Sequence, residues 1–407
     1  MKVRRVRARA VYHGRFRKVN DRAPAFAFVT RGGLRYGAEM PTADRKLGVA
    51  VLGVGWCASQ HIAAFLCNRH TAVTWLCARE ADRARANLAK YGVTLPDARI
   101  TTTYDDVLSA PDVDIVSIAT PNHLHADQAV AAAVAGKHLL LEKPTGLDVG
   151  ELVRIRDAVR RAGVRTIVSF ELRYNPFLGF ARWLRSAGWL GDIRFARTQY
   201  LSRVTDWYSG WSWVRTRESG RSHLLAAGCH AVDALRWCSG LEPTSVSAFH
   251  THVTDGYEWP TSIVANMTLE GSALGHVTSS TGFMLPYTFV VELMGERATL
   301  RQDLLQWLDA PVDLGRLAAA NPFPDVRLAA ATDSAGRPAI RIVCTMPDSA
   351  DVTEHPFQAE IDELVACVLE DRETSISVFE AQHTMEVCLA ADRSAELGGE
   401  PMSLPLI

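Results

Sequence analysis

No apolar run in this chain approaches the roughly 18–20 residues that a membrane helix needs, so neither a spanning helix nor a membrane partner is expected. An excess of either charge is also missing. Lys and Arg number 44 and Asp and Glu 45, a formal net charge of −1 that argues against a nucleic-acid partner. The eight cysteines form no CxxC pair and none stands near histidines at a zinc-ligand spacing, so no metal site is assigned. Scattered instead through mostly apolar stretches, they read as buried thiols of a cytoplasmic protein rather than a disulfide framework.

The 407 residues exceed what one hydrophobic core usually holds, so two domains are expected. Apolar residues make up 48% and charged residues 22%, ordinary for a globular protein. Residues 1–46 differ: over 1–22, Lys2, Arg4, Arg5, Arg7, Arg9, Arg15, Arg17, Lys18 and Arg22 face the single acid Asp21. The apolar stretch at 25–29 is too short for a signal-peptide core, so this segment reads as a disordered basic extension.

From Leu47 onward short apolar runs alternate with helical segments, the pattern of a parallel sheet covered by helices. Strands are expected at 47–53, 72–78, 113–119, 138–141 and 166–170, with helices at 57–67, 80–90, 123–135 and 148–162. Between the first strand and helix lies Gly53-Val54-Gly55-Trp56-Cys57-Ala58, a G-x-G-x-x-A form of the dinucleotide fingerprint. The first glycine permits the tight turn and the second lets the backbone approach a pyrophosphate. The small Ala58 lets helix and strand pack closely, and the helix N-terminus faces the phosphates. At the end of the second strand, where an acid would bind the adenosine ribose hydroxyls, stand Ala78 and Arg79. A small residue followed by arginine suits a 2′-phosphate, which favours NADP slightly over NAD; Glu80 supplying the acid is the competing reading.

Two further motifs end successive strands: Ala119-Thr120-Pro121-Asn122-His123-Leu124-His125 and Leu141-Glu142-Lys143-Pro144. With the glycine turn, with Phe170-Glu171-Leu172-Arg173-Tyr174-Asn175-Pro176, with Gly228-Cys229-His230-Ala231-Val232-Asp233 and with the terminal Ser403-Leu404-Pro405-Leu406, the chain resembles the glucose–fructose oxidoreductase/inositol dehydrogenase (Gfo/Idh/MocA) family. The resemblance implies an α/β fold: a Rossmann domain over 47–170, then an α+β domain over 171–407 with a large, mostly antiparallel sheet. It also implies that the C-terminal segment packs back toward the first domain. Strand-like segments at 192–201, 244–254, 262–269, 275–280, 289–294 and 339–344 agree, as do helical ones at 178–187, 223–237, 356–370 and 379–396. In the family the sheet face often carries subunit contacts, so a homo-oligomer (dimer or tetramer) is expected.

The resemblance implies hydride transfer between a nicotinamide and a secondary alcohol or ketone of a sugar, inositol or sugar derivative. Lys143 is placed at the reacting carbon as proton donor or acceptor: crowding by positive charge and partial desolvation can lower its pKa toward neutrality, and if it stays charged it stabilises the developing alkoxide. Glu142 and Asn122 are assigned to the nicotinamide ribose, with Thr120, Pro121 and His125 beside them. His230 is the second catalytic candidate. Where many family members carry an aspartate four residues earlier, this chain has Ala226, which puts the usual proton relay in doubt. Arg173 and Tyr174 at the crossover, Trp213 in the aromatic run 207–213, His230 and Asp233 are the candidate substrate contacts. Two other readings stay open. One is a glycoside-cleaving enzyme that recycles a tightly held nucleotide; the other is a non-catalytic dinucleotide sensor.

Overall fold

The computed structural model describes residues 45–95, 97–206, 208–282, 287–344 and 355–407. The basic extension expected at 1–46 lies almost wholly outside them.

Two sheets organise the described chain. The first half contains β1 (Leu47–Leu52), α1 (Trp56–Cys67), β2 (Thr71–Cys77), α2 (Ala81–Lys90), β3 (Arg99–Thr101), α3 (Tyr104–Ser109) and β4 (Ile115–Ile118). It continues with α4 (His125–Val134), β5 (His138–Leu141), α5 (Val149–Ala162) and β6 (Thr166–Val168). All six strands are parallel, in the order β3-β2-β1-β4-β5-β6. The central strands are covered on both faces, and β4 and β6 are buried along their whole length. Helix boundaries follow local chemistry: the Asp148 carboxylate accepts from the Glu151 N–H at 2.9 Å and caps α5, and Gly163 ends it in the left-handed conformation. Because β1 pairs with β2 on one side and β4 on the other, the strand order reverses there. A ligand crevice opens at the carboxyl ends of strands at such a switch point.

The second half contains α6 (Pro176–Ser186), β7 (Ile193–Ser202), α7 (Trp211–Val214), a π-helical turn over Leu224–Gly228, α8 (Cys229–Ser239), β8 (Pro243–Thr251) and β9 (Ser262–Leu269). Then follow β10 (Leu274–Thr281), β11 (Thr288–Gly295), β12 (Thr299–Arg301), β13 (Leu304–Gln306), α9 (Leu314–Ala320), β14 (Val326–Thr332) and β15 (Pro338–Cys344). The chain closes with α10 (Phe357–Leu369), α11 (Val378–Glu396) and β16 (Met402–Ser403). The sheet has ten strands in the order β14-β15-β13-β12-β11-β7-β10-β9-β8-β16, parallel only between β7 and β10. Along β9 the side chains alternate, with Ile263, Ala265, Met267 and Leu269 buried and Val264, Asn266 and Thr268 exposed, so one face is core and the other open. Helix α8 lies against β7, β10 and β11 on the core face, and α11 against β8.

Two differences from the sequence reading matter for the site. The helix expected from 223 is not continuous: a π-helical turn precedes α8. Insertions of this kind relieve a helix whose register conflicts with its packing and often mark functional sites. Here Gly228 lies so close to β10 that a Cβ would sit 2.0 Å from the Ser279 hydroxyl. Strands β12, β13 and β14 were not anticipated: the first two have three residues each, too few to show alternation, and seven-residue β14 is mostly exposed, Val326 being its one buried residue. The eight cysteines are free, and Cys67 is exposed rather than buried.

The C-terminal helices return to the first sheet. Helix α10 packs on α1, the Val168 N–H donates to the Ile376 carbonyl at 2.9 Å, and the Val378 N–H donates to Thr166 Oγ1 at 3.1 Å. On α11, burial lifts Asp392 from its ordinary 3.8 to about 7, although a 2.6 Å hydrogen bond from the Ser222 hydroxyl works against the shift. The folded state therefore holds a proton that the unfolded chain has already lost between those two values, and stability falls as pH rises through this window. Asp392→Asn should raise stability by roughly 2–4 kcal/mol above neutral pH and by almost nothing near pH 4. Thermal melts across pH check this, and a gain independent of pH would remove the assignment.

Candidate active site

The glycine turn sits at the switch point. Gly53 has φ +86°, and a Cβ there would lie 2.3 Å from the Ala119 carbonyl oxygen, so β1 and β4 can converge only over a glycine. Gly55 is different. Its backbone is extended, and a Cβ would meet nothing nearer than the Ser209 hydroxyl at 3.7 Å. The fold itself does not need glycine at 55, and the bare backbone there leaves room for a ligand to approach closely. Helix α1 starts at once, with no side-chain cap and no acid in its first turn, which leaves its N-terminal N–H groups and positive dipole end to an anion. Ala58 is fully buried where α1 meets the sheet. These features fit a dinucleotide pyrophosphate. Gly55→Ala should leave the melting temperature unchanged and weaken dinucleotide binding about tenfold or more. Differential scanning fluorimetry beside a binding titration separates the two effects, and a large loss of stability would sink this reading. Trp56 and Cys57 open α1, and burial, then the Glu142 charge, pushes the Cys57 thiol well up, so it stays protonated. Ala78 is half-buried at the end of β2, whereas Arg79 and Glu80 are exposed.

At the end of β4, Thr120 Oγ1 donates to Gln128 Oε1 at 2.6 Å, and Pro121 precedes a short 3-10 turn. Asn122 is buried, and its Nδ2 donates to the Ser219 carbonyl at 2.9 Å. His125, expected at the cofactor, is fully buried between two backbone carbonyls, Nδ1 at 2.7 Å from Pro144 O and Nε2 at 2.9 Å from Thr120 O. Burial lowers its pKa despite those contacts. It ties the β4 turn to the β5 turn rather than pointing at a ligand.

The β5 turn carries Glu142 and Lys143. Glu142 is buried with Oε1 3.2 Å from His61 Nε2, a close contact without the alignment of a hydrogen bond. Burial alone would raise its carboxyl, but the His61 imidazole and the Lys143 charge hold it down at about 2. His61 is anchored in turn by Ser117 Oγ, 2.9 Å from Nδ1. The sequence reading missed His61, because a histidine on the apolar face of a helix carries no signal of the carboxylate it will meet.

Lys143 keeps its charge. Burial pulls its pKa down, but Glu142, followed by Cys229, Tyr200 and Glu171, outweighs that, and the net shift is upward. The fall toward neutrality considered from the sequence is thus corrected: in the protein alone the ammonium keeps its proton, because a carboxylate adjoins it rather than a cation. Its Nζ donates to the Ala226 carbonyl at 3.4 Å. The position that lacks a carboxylate side chain therefore presents its backbone oxygen to the lysine.

His230 opens α8, buried at 2% exposure. Its ring stacks on Tyr200, with centroids 5.8 Å apart and planes at 18°, and meets Phe170 edge-on at 5.6 Å. Burial, then the charge of Lys143, holds it well below the ordinary histidine pKa, so it is neutral. Neither ring nitrogen has a hydrogen-bond partner among the described residues. Its Nε2 is 3.7 Å from Glu171 Oε1, and the same oxygen contacts His355 Nδ1. Nearby His223 is lowered to about 3 by burial, with hydrogen-bond contacts to Ser279 Oγ at 2.7 Å and Ser202 Oγ at 3.0 Å. Glu171 stood in a quoted motif but was not singled out, and nothing in sequence marks His355.

Three expected substrate contacts have their polar groups engaged elsewhere. Arg173 grips Asp233 with two hydrogen bonds of 2.7 and 2.6 Å and reaches Glu380 at 3.0 Å. Asp233 also accepts from Thr384 Oγ1 at 2.9 Å. The Tyr174 hydroxyl donates to Glu363 at 2.7 Å. Trp213 is half-buried edge-on to Tyr208, with centroids 6.1 Å apart.

Comparison with known proteins fits this geometry. Residues 47–170 match the family model described as the oxidoreductase family, NAD-binding Rossmann fold, and residues 180–301 match the GFO/IDH/MocA C-terminal domain. Together the two matches span more than half of the chain. The chain belongs to the Gfo/Idh/MocA family. Its relatives include an uncharacterised oxidoreductase of Synechocystis sp., 32% identical over 49% of this chain and 53% of that protein. A levoglucosan dehydrogenase of Pseudarthrobacter phenanthrenivorans is 36% identical over 34% of this chain and 36% of its own length. A solved levoglucosan dehydrogenase in complex with NADH and levoglucosan shares the fold, with a TM-score of 0.72 at 21% identity, over 89% of this chain and 100% of that one. Like other Gfo/Idh/MocA proteins, this one carries an NAD-binding Rossmann domain. Among its described residues no helix is long and apolar enough to cross a membrane.

Proposed function

We propose that this protein transfers a hydride between a nicotinamide dinucleotide and a secondary alcohol or ketone of a sugar-like substrate. The observation that carries the reading is Lys143. It stands at the carboxyl end of β5 on the dinucleotide side and reaches the backbone of the π-helical turn before α8 on the other. Residues 47–170 hold the dinucleotide in this proposal, and 171–407 shape the substrate side and supply homo-oligomer contacts.

When bound, the nicotinamide supplies or accepts the hydride at the substrate carbon. The chain's own residues handle the oxygen. In the reducing direction the charged Lys143 donates its proton to the carbonyl oxygen and stabilises the negative charge that develops there. Glu142, held ionised, keeps that ammonium in place and faces the nicotinamide ribose with Asn122. His230, whose two nitrogens have no hydrogen-bond partner among the described residues, makes the second contact to the substrate oxygens. Arg173 and Asp233 support α8 rather than bind substrate.

The experiment is a fluorescence titration of NAD(H) and NADP(H), followed by a panel of polyols and ketoses with the tighter nucleotide. Arg79 is exposed at the end of β2, where a guanidinium can pair with a 2′-phosphate. Arg79→Ala should weaken NADP by about tenfold and NAD hardly at all; equal losses would discard the phosphate contact. A nucleotide that co-purifies and is not consumed in turnover would favour the internally recycled, glycoside-cleaving reading.

A further inference from the structure

We infer that Glu171, His230 and His355 together form a binding site for a divalent transition-metal ion of the zinc, iron(II) or cobalt class. The three come from separate segments: the crossover turn after β6, the first turn of α8, and the residues just before α10. One ligand atom from each lies within 4.8 Å of the other two. An ion bonded at about 2.1 Å needs its ligand atoms within roughly 4 Å of each other, so small side-chain rotations close the set.

Donor and acceptor accounting explains why this pocket calls for a cation. Glu171 is 2% exposed, His230 2% and His355 7%. Glu171 Oε2 and both nitrogens of His230 have no hydrogen-bond partner among the described residues. Buried polar atoms left in this way cost stability unless something satisfies them. Among the described residues, the only side chains that bring a basic nitrogen within 4 Å of the Glu171 carboxylate are the two imidazoles. An ionised carboxylate offers only acceptors, and each neutral imidazole brings one N–H and one lone pair. His355 Nδ1 already makes a hydrogen-bond contact with Glu171 Oε1; a cation replaces that contact and at the same time takes up the unpartnered lone pairs of Glu171 Oε2 and His230.

The chemistry of the set selects the ion. Two imidazoles disfavour magnesium and calcium, which prefer oxygen ligands. Two histidines and one carboxylate suit zinc or iron(II) and leave coordination positions open for water or a substrate oxygen. The site also deepens the proposed function, and that consequence rests on it. His230 would then meet the substrate oxygen through the ion, which acts as a Lewis acid while charge develops there. Its oxidation state does not change, and hydride and proton follow the path already given. Sequence spacing could not reveal such a site, because residues 171, 230 and 355 share no local motif.

The test uses the full-length protein, stripped with a chelator and dialysed against zinc or cobalt(II). Metal content is measured by mass spectrometry, and the cobalt form by its visible ligand-field spectrum. One tightly held ion per chain is expected in wild type and in Lys143→Ala. Glu171→Gln and His355→Ala, shown to be folded by circular dichroism, should lose at least about tenfold in affinity and change the cobalt spectrum. A wild type that retains no stoichiometric ion, or a Glu171→Gln protein that binds zinc as tightly as wild type, would overturn the site. The two proposals fail separately. Stoichiometric zinc with no polyol or ketose turned over keeps the site and removes the proposed function. Turnover by a wild type that binds no zinc does the reverse.

Discussion

Lys143→Ala should lower kcat by about 10²- to 10⁴-fold while dinucleotide affinity stays within about twofold. The reason lies in what surrounds the ammonium. Glu142 adjoins it, the Ala226 carbonyl accepts from Nζ at 3.4 Å, and the net shift of its pKa is upward, so it presents a proton to the substrate oxygen. Removing it takes away both the proton and the positive charge at the point where negative charge grows. The glycine turn, to which the pyrophosphate contacts are assigned in the proposed function, is untouched. Lys143→Arg should rescue little, since a planar guanidinium keeps the charge but gives up its proton far less readily. Steady-state kinetics beside a nucleotide titration give the answer. An unchanged kcat would take the lysine out of the reaction, and a parallel loss of nucleotide affinity would make its role one of binding.

The second large effect concerns stability. Arg173→Ala should destabilise the protein by about 3–5 kcal/mol, because it strands a buried carboxylate. Arg173 is 5% exposed and Asp233 3%, joined by hydrogen bonds of 2.7 and 2.6 Å that span the crossover turn and α8. Arg236, one turn further along α8, repeats the device with two bonds of 2.6 and 2.7 Å to Glu242 and another of 2.7 Å to Thr384 on α11. The pair holds α8, and with it His230, in its place. Replacing both partners with apolar residues of similar size should cost much less than Arg173→Ala alone, since no charge is then left buried. Denaturant unfolding of the single and double variants measures this. A loss below about 1 kcal/mol for Arg173→Ala would mean that water reaches Asp233, and Arg173 would return as a substrate contact.

Much of the first sheet was legible because its information is local. Buried parallel strands are short apolar runs, glycine turns have a fixed spacing, and helix starts carry their own caps, as Asp148 does for α5. Strands of the second sheet with clean alternation were readable too, β9 above all. Elements without such patterns were not: β12 and β13 have three residues each. The π-helical turn before α8 is a response to packing against β10, and no propensity announces it.

The candidate site divides the same way. Residue type and position along the chain were enough to single out Gly53, Gly55, Glu142, Lys143 and His230, because each stands at the end of a strand or in a recurrent motif. By itself the sequence determined the dinucleotide turn, the strand-end loops and the family. Protonation and partnership were decided only by tertiary structure, because they depend on which groups from distant segments share a low-dielectric space. The Lys143 ammonium is held charged by Glu142, Arg173 is spent on Asp233, and His125 is locked between two carbonyls. Glu171, His230 and His355 converge from three parts of the chain that have nothing in common until it folds.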